Sequence, residues 1–118
     1  QERGGQVLVH HRVHALEGGG QTRGLQRVGR CAAARAVENQ CYVAQVPLVG
    51  THPSGEKTGT GRSTIYQPCD DVVGADGTGL SLPRDTHAAA TQTLDVDALR
   101  ESRRSASVRP YADRDLLR

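Results

Sequence analysis

The chain has 118 residues, room for one domain with a modest core. Its 15 basic and 13 acidic residues leave a net charge of +2, too even to imply a nucleic-acid or membrane-surface partner. Aromatic content is 3%, with no Trp or Phe, so the core must be built from Val, Leu and Ala.

Gln6-Val7-Leu8-Val9, after Gly4-Gly5, is a short apolar run and predicts a buried strand. His10 and His14 follow at a spacing that can bind metal on a helix, but no further ligand accompanies them and Gly18-Gly19-Gly20 breaks the pattern. A solvated basic segment is the expectation there. Thr22 to Asn39 reads as a helix weakened at Gly24 and Gly29, each costing about 1 kcal/mol relative to Ala. Leu25, Val28, Ala32 and Ala36 form its apolar stripe, and Asn39 suits its C-terminal cap.

From Cys41 the period changes to two. Cys41, Val43 and Gln45 lie on one face and Tyr42, Ala44 and Val46 on the other, with no charge on either. A strand buried on both sides, entered directly from a helix, marks an αβ junction of a layered α/β domain. Thr51 to Thr60 is a polar loop. Gly55-Glu56-Lys57-Thr58-Gly59-Thr60-Gly61-Arg62-Ser63 fails as a phosphate loop: the glycine spacing is one residue too long, and Arg62 stands in place of lysine. The β-prone Ser63-Thr64-Ile65-Tyr66 also follows where a helix is required.

Asp76-Gly77 is a hairpin signal, predicting that the Ile65 strand returns as a strand around Thr78–Leu82. The adjacent Asp70 and Asp71 read as a solvated pair before that turn. His87 to Leu94 predicts a further strand, and Asp95 or Asp97 caps a short helix through Arg104. Beyond Ser105 a polar, extended tail is expected. The odd count of cysteines (Cys31, Cys41 and Cys69), with no Cys-x-x-Cys spacing, predicts reduced thiols in a cytoplasmic protein rather than a zinc site. No apolar run approaches transmembrane length, and the N-terminus has no signal-peptide core.

Three ordered motifs resemble the carbon–nitrogen hydrolases, the nitrilase superfamily. Arg35-Ala36-Val37-Glu38-Asn39-Gln40-Cys41-Tyr42-Val43 is similar to the segment downstream of that family's nucleophile. Gly61-Arg62-Ser63-Thr64-Ile65-Tyr66-Gln67-Pro68 looks like its Gly-Arg-Ser-x-Ile-x-x-Pro strand, and residues 94–104 look like its last strand and following helix.

The resemblance implies that residues 1–104 are the C-terminal part of an α-β-β-α sandwich, incomplete here, with 10–30 poorly matched and 105–118 a polar tail. Gln1 would fall inside the helix that follows the family's catalytic cysteine. The family uses a cysteine nucleophile, a glutamate base and a lysine on amides or nitriles, through a thioester and without a cofactor or metal. All three catalytic positions precede the matched region, so none carries over. Cys41-Tyr42 mimics the nucleophile motif, but it sits inside a core strand and is followed by Val43 with no nearby charge. Glu38 is expected to pair at the helix end with Arg35 or a neighbouring segment, and Lys57 lies on a polar loop.

The expectation is therefore a fragment of such a hydrolase, inactive alone, that lines a small-molecule amide or nitrile pocket in a homo-oligomeric intact enzyme. The alternative is a non-catalytic binding or assembly module derived from the same fold.

Overall fold

The structure, a computed structural model, describes residues 7–10, 19–51, 53–54 and 59–117. Helix α1 (Gly19–Asn39) runs unbroken through Gly24 and Gly29. Its alanine-rich second half keeps it helical, and its buried stripe is Val28, Ala32 and Ala36, as the periodicity predicts. The helix ends where Gln40 turns left-handed (φ 44°). The Gln40 N–H then bonds Val37 O at 3.3 Å and the Cys41 N–H bonds Ala36 O at 3.1 Å. This paired closure satisfies the last carbonyls and turns the chain straight into a strand.

That strand is β2 (Tyr42–Gln45), the second in a four-stranded sheet ordered β1-β2-β3-β4. β1 (Val7–His10) pairs with it in parallel, Val7 opposite Tyr42, so β1, α1 and β2 form a crossover unit. β3 (Thr64–Tyr66) pairs antiparallel to β2, with Val43 opposite Tyr66. β4 (Thr78–Ser81) pairs antiparallel to β3 as expected, but the chain reverses between Asp70 and Gly74 and not at Asp76-Gly77. The molecule is therefore a mixed α/β fold.

Register assigns the faces. Val43, Gln45, Thr64 and Tyr66 share the face covered by α1, while Tyr42, Ala44 and Ile65 share the other. The core on the α1 side is small: Ala32, Ala36, Cys41 and Val43, with Tyr66 packed against them. Alanines let α1 approach the sheet closely but bury little area, so each contributes far less than the roughly 1.5–3 kcal/mol of a buried Val or Leu.

α2 (Val96–Ser105) begins at Asp95, whose Oδ1 accepts the Ala98 N–H at 2.9 Å. It buries Leu99 and Ser102, one turn apart on one face.

Three further expectations need correction. Residues 86–95 form no strand. The run Ala88-Ala89-Ala90-Thr91 is exposed and has no apolar face to bury. Instead the Gln92 side chain accepts the Leu80 N–H at 2.6 Å, closing an edge amide of β4 without a backbone ladder. The tail is not extended either: α3 (Pro110–Asp113) and a 3-10 turn (Arg114–Leu117) follow Arg109. Pro110 starts that helix, because its fixed φ suits the first turn and its missing N–H costs nothing there. Finally, four strands in one sheet occur among the described residues, where about five strands of an incomplete sandwich are expected.

Candidate functional site

The thiols come first, since the resemblance turns on a cysteine nucleophile. Cys41 is 3% exposed, with its Sγ 3.8 Å from Arg35 O. Burial pushes its pKa above the usual thiol value, and the nearby Arg103 charge offsets this only in part. A neutral, enclosed thiol is a core group and a poor nucleophile. Cys31 and Cys69 are exposed, and Cys69 Sγ donates to Ala75 O at 2.8 Å.

Glu38 pairs with Arg35 on the exposed surface of α1, at 2.8 Å, as expected. Lys57 and His14 lie outside the described residues. His10 stands on a strand, so helical spacing from His10 to His14 is not formed at its first member. Among the described residues, no three His, Cys, Asp or Glu side chains converge as a metal site.

Sequence reasoning misses a polar hub where α1, α2, α3 and the loop after β3 meet. Gln40, 2% exposed, donates from Nε2 to Ser102 Oγ at 2.9 Å. Its Oε1 accepts the Tyr111 N–H at 3.1 Å, and its backbone carbonyl accepts Arg103 Nε at 2.9 Å. Ser102 Oγ in turn donates to Asp70 Oδ2. Asp70 Oδ1 caps the turn by accepting the N–H groups of Val72 and Val73, at 2.9 and 2.7 Å. Asp70 is thus half-buried and bonded through both oxygens, not solvated; Asp71 beside it is exposed and accepts from Ser107. The Tyr111 ring lies between the Arg103 and Arg114 guanidinium groups, at 3.8 and 3.7 Å. Every member of this hub has its partner inside the chain, so its role is to join elements. The one local signal was Gln40, a polar residue between a helix end and an apolar strand.

A different arrangement lies under α1. A cavity of about 260 Å³ opens between its Gln26, Gly29 and Arg30 and the sheet residues Gln45, Thr64, Tyr66, Thr78 and Ser81, with Arg62 also lining it. Gly29 makes the room: a Cβ there would stand 2.9 Å from Tyr66 Oη. Tyr66 Oη donates to Gln45 Oε1 at 3.4 Å, and Thr64 Oγ1 meets Ser81 Oγ at 3.0 Å. Burial raises the Tyr66 pKa and the Arg62 charge lowers it, burial being the larger effect. Arg62 itself has a left-handed backbone (φ 59°), held by its N–H bonding Pro83 O at 3.2 Å.

Over 94 residues, 78% of the chain, the sequence is 32% identical to the Probable hydrolase YhcX of Bacillus subtilis (strain 168). The chain spans 18% of that protein's length. No protein-family profile matches the chain. No solved structure matches it.

Proposed function

We propose that this chain is the C-terminal, non-catalytic part of a carbon–nitrogen hydrolase, supplying sheet strands and pocket walls to an enzyme that cleaves amide- or nitrile-type bonds. The observation that carries the reading is the stretch of 94 residues similar to a probable hydrolase many times longer than the match. In this reading the intact enzyme opens its C–N bond through a Cys–Glu–Lys thioester mechanism. The three motifs of that resemblance sit on the α1–β2 junction, on β3 and around α2, so they fall on the elements that build the fold.

The packing supports the same reading. α1 covers one sheet face, while Ala44 and Ile65 on the other remain part-exposed. A second sheet laid on that face would complete the sandwich and cover them. The enclosed Cys41 carries no catalytic role in this proposal. We place the intact enzyme in the cytoplasm as a homo-oligomer; no helix among the described residues is long and apolar enough to cross a membrane.

The second reading, a separate binding module derived from the same fold, is favoured by the cavity under α1, which this chain lines with its own residues. The coding sequence immediately upstream decides between them. An open frame carrying a glutamate, a lysine and a Cys-aromatic motif in that order supports the hydrolase part. A start codon at the head of this chain supports the module.

A further inference from the structure

We propose that the cavity between α1 and the sheet binds a small oxyanion, a carboxylate or phosphate group on a compact molecule, with Arg30 and Arg62 as its charge partners. The argument is one of donors and acceptors. Two guanidinium groups line the space and no carboxylate does. Neither arginine makes an ion pair or side-chain hydrogen bond among the described residues, although Arg35, Arg100 and Arg104 all do.

The neutral groups are mixed, so the arginines decide the sign. Gln45 Oε1 is already taken by the Tyr66 hydroxyl, which leaves the Gln45 amide N–H groups as donors. Thr64 Oγ1 donates to Arg62 O at 3.0 Å, so the Ser81 hydroxyl spends its proton on Thr64 and, like Tyr66 Oη, keeps only acceptor lone pairs. The charged groups that line the space are both positive, and the Gln45 amide adds N–H donors beside them. A ligand that satisfies them is anionic and rich in acceptor oxygens, and the guanidinium fork fits a carboxylate or a phosphate equally.

Size narrows the class. At about 260 Å³ the space falls below the usual range for drug-sized ligands, so it admits a small acid or phosphate ester and not a dinucleotide. The position is also prepared by the backbone. Gly61 and Arg62 are consecutive left-handed residues, and their N–H groups are pinned to Leu48 O at 2.9 Å and Pro83 O at 3.2 Å. On the opposite wall α1 carries Arg27 and Arg30 along one side and no acidic residue before Glu38, a field that draws anions toward the opening.

The test is calorimetric titration of the full 118-residue chain with inorganic phosphate and, separately, with succinate. Saturable binding of one equivalent is expected for at least one probe, and which of the two binds identifies the oxyanion. Arg30→Gln and Arg62→Gln should each weaken it by roughly tenfold or more, as loss of a charge-assisted pair does. Arg23→Gln, at an exposed position outside this cavity, should leave it within about twofold. Circular dichroism of each variant separates lost binding from lost folding. Gly29→Ala, which keeps the charges but narrows the space, should also weaken binding. No saturable binding of either probe overturns the proposal. So does binding that survives both substitutions in folded protein, or that falls equally with Arg23→Gln.

Discussion

Cys41 shows at the scale of one residue why a motif is not a mechanism. It stands beside Tyr42 in the pattern of a nucleophile motif, yet it is enclosed between α1 and the sheet, and burial holds its proton on. A raised pKa leaves less thiolate at any pH below it, and enclosure denies access to a reagent. Native chain treated with a thiol-specific reagent near neutral pH should therefore lose Cys31 and Cys69 first. Cys41 should react roughly tenfold more slowly or worse, and catch up in denaturant. Peptide mapping of the labelled sites reads this directly; equal native rates would refute the burial. Gln40 next to it makes the opposite point. Nothing local in the sequence marks it as more than a helix end, because its partners Ser102 and Tyr111 lie 62 and 71 residues away.

Elements were legible where local chemistry and burial agree. The alanine run with its apolar stripe announces α1, the change to period two announces β2, Asp76-Gly77 announces the β3–β4 pairing though the chain reverses before it, and Asp95 announces α2. They were illegible where distant contacts decide. The loose alternation of residues 87–94 looks like a strand, but a single Gln92 side chain takes the place of the ladder. The last helix has a local start in Pro110, but its docking on Gln40 is encoded by no local pattern. The cavity was hidden for the same reason, since its two arginines come from different elements and its space from Gly29.

α2 offers the sharpest energetic test at this scale. Leu99 is fully buried (0% exposed) and is the largest apolar side chain to be so. Leu99→Ala should cost about 2–5 kcal/mol, read as a lowered urea midpoint, and in a core this small that rivals the total stability. Arg100→Ala, on the exposed side of the same helix, should cost less than about 0.5 kcal/mol. Equal effects would mean that α2 is not docked.

The whole molecule is looser than its length warrants. Its radius of gyration is 16.0 Å, against about 13.5 Å for a compact domain of this size. One sheet face carries a helix and the other is part-exposed, and Val46 and Leu48 are exposed just after β2. Such surfaces associate. Sedimentation velocity on the isolated chain should show a concentration-dependent mixture of sizes, with a broad thermal transition; a single monomeric boundary with a sharp melt would show that the fold is self-sufficient.

In the reading proposed above, this chain carries the framework of a hydrolase and not its chemistry. The most direct measurement is turnover by the purified chain on a panel of simple amides, nitriles and N-carbamoyl compounds, alongside Cys41→Ala. No product above the buffer blank is expected for either protein. Product formation that Cys41→Ala abolishes would contradict that reading, because the enclosed thiol would then be a working nucleophile.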